Sequence, residues 1–442
     1  MVRRPRAARR LTPPLAARSH LVVAGSAWAS RIVLALLQVA SVRLLTVGLG
    51  QASYTVYALL AGLAAWFTLA DFGLPAALQN FISECRARQE DYAPAVARCA
   101  AIAVAGGAVL AVLAWVLAPW VAGALMANLP GVAADERLGA LRLLAVACIA
   151  LASGSLVYKV WYGEHRGWLA HLCQLAAGLL SYGASALVLR GDAAHRLEWS
   201  VAAWFGFNAL LPVACLLWRC RGLSGPGRAS LPRGLVRQAS GFWGYAWLAA
   251  LVLQLDYVLI VFLLGPDDLV AYSLYARIFG LGLFVYGSVL GALWPVLAER
   301  AAQGQGAEML ASATRHVMAG LALMLVFTAF VARFDGAIFG LLSPTLHVAT
   351  SLGFVLAMGG YFLVRVWTDT FAMLLQSMGH LRPFYLLVPV QAVASIAGQV
   401  ACVRLWGLAG IPLGMALSFL LTVAWAMPLL ARRRSAALRP PA

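Results

Sequence analysis

Charge is scarce in this chain: 11% of its 442 residues are Asp, Glu, Lys or Arg, against about a quarter in a typical soluble domain. Motifs for the common chemistries are lacking too. The sequence contains no phosphate-cradling P-loop, no HExxH pair and no GxSxG turn, so nothing in it points to nucleotide hydrolysis, zinc hydrolysis or a serine nucleophile. Its seven cysteines include no CxxC pair and lie mostly in or beside apolar runs, which indicates neither a disulfide framework nor a metal site. The histidines lie mostly in loops or at helix ends, with no two at ligand spacing. No cofactor is expected, and the chain does not read as an enzyme.

What is present is apolar length. Hydrophobic residues make up 63% of the chain, and runs of roughly 20, enough to cross ~30 Å of hydrocarbon, recur throughout. In lipid the backbone must be paired internally, and no segment alternates like a barrel strand, so the runs are helices. The predicted fold class is an all-α integral membrane protein with twelve transmembrane helices. They are expected at about 20–46, 54–78, 97–121, 138–160, 168–190, 199–218, 238–264, 270–296, 313–334, 347–376, 383–404 and 407–431.

The net charge of +17 invites a nucleic-acid partner, and its distribution removes that reading. With the N-terminus inside, one face collects most of the basic residues, including Arg86, Lys159, Arg219 and Arg434. The other face holds only Arg137, Arg142, Arg190, Arg196, Arg333 and Arg404. This asymmetry is the positive-inside pattern, so both termini are expected in the cytoplasm. The basic opening 1–19 precedes a long span and shows no clear cleavage site, which reads as a retained cytoplasmic tail.

The loop "RCRGLSGPGRASLPRGLVR" (219–237) is the longest between the first and last spans. It separates an N-terminal six-helix bundle (20–218) from a C-terminal one (238–431), with a second basic tail at 432–442. An internal repeat supports the division. Shifted by 215 positions, "LLTVGLGQASYTVYALLAGL" (44–63) lies over "LIVFLLGPDDLVAYSLYARI" (259–278), placing Gly50 on Gly265 and Tyr57 on Tyr272. A weaker echo sets "GEHRGW" (163–168) over "GHLRPF" (379–384). An even number of spans per half gives both halves one orientation, so the expected relation is a pseudo-two-fold along the membrane normal, with a cleft between bundles.

Six ionisable residues fall well inside expected spans: Arg31, Asp71, Asp256, Arg277, Arg365 and Asp369. Each costs ~2.5–3.5 kcal/mol at a helix centre, so six facing lipid would cost roughly 15–20 kcal/mol. That exceeds the ~5–15 kcal/mol stability of a whole domain. They must face each other or water, and Asp256 is expected to look into a hydrated cleft. Tyr361, Arg365, Thr368, Asp369 and Gln376 form one polar stripe at ~100° per residue, within which Arg365 and Asp369 can pair at i,i+4. Arg31 shares a face with Gln38. Asp71 precedes Gly73 and Pro75, where a bend is expected. Arg277 has no carboxylate nearby in its own span, so its counter-charge comes from another helix or a ligand.

The segment "YALLAGLAAWFTLADFGLPAALQNFISE" (57–84) resembles the second-helix region of bacterial Wzx-type polysaccharide flippases. "LDYVLIVFLLGPDDLVAYSLYARI" (255–278) with "LWPVLAER" (293–300) resembles their seventh and eighth helices, and "GLAGIPLGMALSFLL" (407–421) the last. These belong to the multidrug/oligosaccharidyl-lipid/polysaccharide exporter superfamily. The resemblance implies an inner-membrane flippase for undecaprenyl-diphosphate-linked oligosaccharide in O-antigen or exopolysaccharide synthesis. Its expected partners are that lipid-linked oligosaccharide, membrane lipids, and polymerase and chain-length proteins of the same pathway, with H+ or Na+ as coupling ion. On this reading the six intramembrane charges are the substrate-binding residues of the cleft, the arginines suiting a diphosphate. Two alternatives stay open: a multidrug/cation antiporter of the same superfamily, using Asp256 and Asp369 for an organic cation, and a multispanning glycan polymerase. The short outer loops, the longest about 335–346, speak against the polymerase.

Overall fold

The computed structural model describes residues 13–438 apart from 165, 192–193, 222–230, 344–350, 379 and 381. The first tail, most of the central linker and the end of the second tail therefore lie largely outside the described residues, as does the side chain of Arg31. The N-terminal half holds α1 (Pro13–Thr68), α2 (Leu74–Arg88), α3 (Ala93–Met126), α4 (Ala134–Gly154), α5 (Leu156–Gly163), α6 (Gly167–Arg190) and α7 (Arg196–Cys220). The C-terminal half holds α8 (Arg233–Leu253), α9 (Asp256–Leu263), α10 (Pro266–Ala302), α11 (Gly306–Leu342), α12 (Leu352–Ser377), α13 (Arg382–Trp406), α14 (Gly410–Leu421) and α15 (Val423–Ala436). Among the described residues there is no strand.

Nine helical segments among the described residues are long and apolar enough to cross a membrane, so the protein is multi-pass. Two of them, Ile32–Asp71 and Arg382–Ala436, run to 40 and 55 residues, well beyond the ~20 that one crossing needs. Both are interrupted by a glycine with positive φ. Gly50 (φ 72, ψ 175) divides α1 into two arms. The chain must double back there, because Leu34 and Thr68 line a single cavity. Gly407 (φ 53) lies between α13 and α14, which pack on each other. The helix α12 is not among the nine; it carries both Arg365 and Asp369.

The helices α2–α7 and the first arm of α1 pack mainly among themselves, as do α8–α15. The halves meet where α2 packs on α8, and where α1 packs on α9, α10 and α11. The outward faces are apolar: Leu386, Val390 and Val393 of α13 are 74%, 59% and 70% exposed and share one face by their spacing. Such a face suits hydrocarbon, not water. Inward faces carry small residues that let backbones approach, as where Gly398 of α13 meets Gly414 of α14, the packing that membranes favour.

Several spans are broken. The expected bend near Gly73 is a full interruption: a 3-10 turn at Leu69–Asp71, then Phe72 (φ 55) and Gly73 (φ 67) before α2 begins. Further breaks separate α4 from α5 at Ser155, α8 from α9 at Gln254–Leu255, and α14 from α15 at Thr422. The ninth span, expected at 313–334, continues to Leu342, with non-helical φ/ψ at Phe334. Backbone groups released in lipid need new partners, and tryptophan indoles supply them. Gly73 N donates to Asp71 Oδ1 (2.8 Å), and the Leu69 carbonyl accepts from Trp243 Nε1 instead (2.7 Å). Beside the α8–α9 break, Trp66 Nε1 donates to Gln254 O (3.2 Å). In α15, Pro428 has no N–H to offer Ala424 O, which accepts from Trp367 Nε1 at 2.7 Å. The first two bonds are reciprocal: each half sends an indole to the other half's broken helix.

Candidate functional site

Cavities open among the described residues of both halves, and two of them hold expected site residues. The larger, about 540 Å³, is walled by α1, α4, α5, α6 and α7, with Ala246 of α8 at its edge. Asp71 lies on its wall with Thr68, Ser155, Tyr158, Gln174 and Asn208. The smaller, about 60 Å³, lies among α8, α12, α13, α14 and α15 and is lined by Thr368, Asp369, Tyr245 and Gln391.

The expected site charges thus divide between several places. Asp71 belongs to the N-terminal cavity, where Lys159 is the cation within electrostatic reach. Lys159, on α5, is half-buried, and its ammonium sits 5.8 Å from the Tyr162 ring.

Arg365 and Asp369 form the i,i+4 pair, with Arg365 Nη2 donating to Asp369 Oδ2 at 3.0 Å. Arg365 Nη1 also donates to Tyr361 OH at 3.0 Å, and the guanidinium packs over Phe419 at 5.8 Å. Two other members of the polar stripe act with them: Thr368 lines the cavity beside Asp369, and Gln376 Nε2 donates to Tyr245 OH at 3.4 Å.

Asp256 differs from expectation. It is 5% exposed, lines neither cavity, and accepts a hydrogen bond from Tyr272 OH. The break at Gln254–Leu255 makes it the first residue of α9, where a helix start favours negative charge. Its carboxylate also meets the backbone N–H groups at the start of α9, and Arg365 is the cation within electrostatic reach.

Arg277 lies between the halves, on α10, with its guanidinium 5.6 Å from the ring of Tyr57 on α1. Tyr54 and Tyr257 are close by. It makes no ion pair among the described residues, so tyrosine rings and dipoles are what hold this cation. The side chain of Arg31 falls outside the described residues.

On the side opposite the central linker the two halves touch directly. Gln51 Nε2 donates to Asp267 Oδ1 at 2.6 Å, and Thr46 Oγ1 donates to Leu342 O at 2.9 Å. Gln51 directly follows Gly50, and Asp267 lies two residues after Gly265, so this contact joins the two repeat-related turns. On the linker side, Glu164 ties the N-terminal half together: Arg219 Nη2 donates to its Oε1 at 2.7 Å and Tyr92 OH at 3.3 Å. Burial and that carboxylate push the Tyr92 hydroxyl above its ordinary value. The weaker echo sets His380 at the position of Glu164. There, burial and the guanidinium groups of Arg434 and Arg382 hold His380 below the ordinary histidine value.

Sequence reasoning missed the tyrosines Tyr57, Tyr257 and Tyr272 around the buried charges, and Gln174 and Asn208 in the cavity. The amides carried a usable signal, since polar side chains inside apolar runs mark pathways by default.

No family model matches the chain. It is 31% identical over 415 residues, 93% of its own length and 96% of the other, to a protein of Salmonella typhimurium named an O-antigen transporter. Among solved structures, it superposes with a TM-score of 0.73 on the inward-facing conformation of a multidrug resistance MATE family transporter of the MOP superfamily, at 13% identity, covering 94% of this chain and 98% of that one. An outward-facing conformation of such a transporter gives 0.62, also at 13% identity, covering 94% of each chain. At such identity the likeness is one of fold alone.

Proposed function

Because the chain belongs to the O-antigen transporter family of Wzx-type flippases in the multidrug/oligosaccharidyl-lipid/polysaccharide exporter superfamily, we propose that it moves undecaprenyl-diphosphate-linked oligosaccharide from the cytoplasmic to the outer leaflet of the bacterial inner membrane. The observation that carries this reading is the likeness to an O-antigen transporter along nearly the whole chain. The protein is a transporter and not an enzyme, twelve spans form two bundles related by a pseudo-two-fold along the membrane normal, and the linker side with both termini is cytoplasmic. The distribution of arginines supports that orientation. The direct contacts between the halves opposite the linker, Gln51 with Asp267 and Thr46 with Leu342, support a state closed on that side.

In this scheme Arg277, which has no ion-pair partner among the described residues, receives the diphosphate as the halves rearrange. Arg365 is held by Asp369 until the same step, and Arg31 contributes from the first span. The polyprenyl tail stays in lipid while the head group crosses. Asp256 and Asp369 are the groups for a coupling H+ or Na+; support comes from the burial of Asp256, whose carboxylate meets Tyr272 OH and the backbone N–H groups at the start of α9 but no cation in contact among the described residues. Polymerase and chain-length proteins of the pathway are its proposed partners.

Deleting the gene tests this directly. The expected result is loss of surface polysaccharide with lipid-linked oligosaccharide accumulating in the inner membrane, restored by the intact gene. Unchanged polysaccharide with new sensitivity to cationic dyes would instead establish the cation antiporter. Loss of polymerised chains with normal appearance of single repeat units outside would establish the polymerase.

A further inference from the structure

The N-terminal cavity is built differently from a site for phosphate or for an organic cation, and the difference lies in where its protons point. Thr68 Oγ1 donates to Ala65 O at 2.7 Å, and Ser155 Oγ to Ala152 O at 2.8 Å. Asn208 Nδ2 is used twice, on Ser181 Oγ at 2.8 Å and Trp204 O at 2.7 Å. Asp71 Oδ1 takes the Gly73 N–H. What these four side chains have left is acceptor capacity: hydroxyl lone pairs, the Asn208 carbonyl oxygen and the second carboxylate oxygen of Asp71. The Gln174 amide makes no hydrogen bond among the described residues and lines the same space, so it adds a free NH2 donor beside its carbonyl acceptor, a pair that matches a hydroxyl able both to donate and to accept. Tyr158 adds an aromatic side chain to the wall.

A wall whose free groups are mostly acceptors, with the Gln174 NH2 as a donor among them, needs a ligand that mainly donates and can also accept. A diphosphate has no proton to give to those acceptors and meets the charge of Asp71, whose nearby cation is Lys159; a quaternary cation could use Asp71 but leaves the other acceptors unpaired. Sugar hydroxyls donate and accept from each carbon, and the aromatic Tyr158 suits a sugar's C–H face. The volume of about 540 Å³ is within the ~300–1,000 Å³ of small-molecule sites, enough for a short oligosaccharide. We propose that this N-terminal cavity is the sugar subsite, taking the uncharged hydroxyl-bearing part of the head group while the diphosphate goes to Arg277 between the halves. The proposal rests on the flippase reading and adds to it a division of one substrate between two places. It also assigns Gln174 and Asn208 as residues that contact sugar and so take part in choosing the repeat unit.

The test uses full-length protein with Gln174→Cys as its one accessible cysteine, purified and labelled with a small maleimide. Three probes are compared: the soluble oligosaccharide released by mild acid from the host's own lipid-linked intermediate, inorganic pyrophosphate, and tetraphenylphosphonium. The expected result is labelling slowed several-fold by the oligosaccharide and unchanged by the other two. Protection by pyrophosphate or tetraphenylphosphonium instead, protection by none, or a cysteine that never labels would each overturn the proposal. Gln174→Ala supplies a second reading. Since the amide has no described partner, thermal stability should hold while export of the native repeat unit falls; unchanged export sinks the assignment of Gln174. Failure of the flippase reading looks different, because it appears in the deletion strain as intact surface polysaccharide whatever happens at position 174.

Discussion

Arg365 and Asp369 show what a charge costs in a membrane helix and how it is offset. Removing one partner of a fully buried pair costs ~3–5 kcal/mol; the cost is smaller here because the Asp369 side chain is 34% exposed. Arg365→Ala and Asp369→Ala should each lower export and melting temperature in detergent, and the swapped double Arg365→Asp/Asp369→Arg should recover part of both. A swap as defective in export as the worse single variant, yet folded, would show that the two groups have separate jobs. Asp256 depends on Tyr272. Tyr272→Phe removes the hydroxyl that satisfies Oδ2, and an unsatisfied buried group costs ~1–3 kcal/mol. Melting temperature should fall, and Asp256→Asn in the Tyr272→Phe background should restore part of it, because the amide carries no charge; no recovery would mean that the carboxylate is not what Tyr272 stabilises. At this scale sequence shows charges well, since one stands out in an apolar run. It shows their partners poorly: tyrosine passes as part of the apolar background, and what Tyr57 or Tyr272 holds depends on a helix from elsewhere in the chain.

The broken helices depend on donors borrowed from neighbours. Trp243→Phe keeps the ring and deletes the bond to the Leu69 carbonyl, so thermal stability should drop by about 1–3 kcal/mol, and Trp66→Phe should do the same at Gln254. An unchanged melting temperature in both would mean that water or another group reaches those carbonyls. Gly73 is a stricter position: its φ of 67 and the close approach of Ala239 O leave no place for a Cβ, so Gly73→Ala should impair folding or the joining of the halves. The linker side adds a pH effect. His380 is held below its ordinary value of 6.5, so near that pH the folded chain binds fewer protons than the unfolded one. Stability should therefore fall as pH drops through the ordinary histidine range, and His380→Gln should flatten that slope in melts between pH 5.5 and 7.5; an identical slope would remove His380 as its source. The interruption at Gly73–Pro75 was legible because glycine and proline mark it. Those at Gln254–Leu255 and Thr422 carry neither residue; the first is met by the Trp66 indole of the other half and the second by the Thr422 hydroxyl, which donates to Ser418 O at 2.6 Å, so glycine and proline do not mark them.

For the whole molecule, the apolar runs, the basic asymmetry and the repeat make a two-bundle membrane protein legible in the sequence. What they did not show is that the charges separate into an N-terminal cavity, a C-terminal pair and an arginine between the halves, because that depends on how α1 and α10 meet. The meeting point also closes the side opposite the linker, through Gln51 and Asp267. If transport requires that side to open, a Gln51→Cys/Asp267→Cys disulfide should stop export and a reductant should restore it; export by the cross-linked protein would show that this contact is no gate. The central claim, movement of a lipid-linked oligosaccharide between leaflets, is tested most directly with purified protein in vesicles. Labelled lipid-linked oligosaccharide is placed in the inner leaflet, and its exposure to a membrane-impermeant oxidant outside is followed in time. Exposure should rise with the intact protein and slow sharply with Arg277→Gln; the same slow exposure with intact protein as with empty vesicles would contradict it.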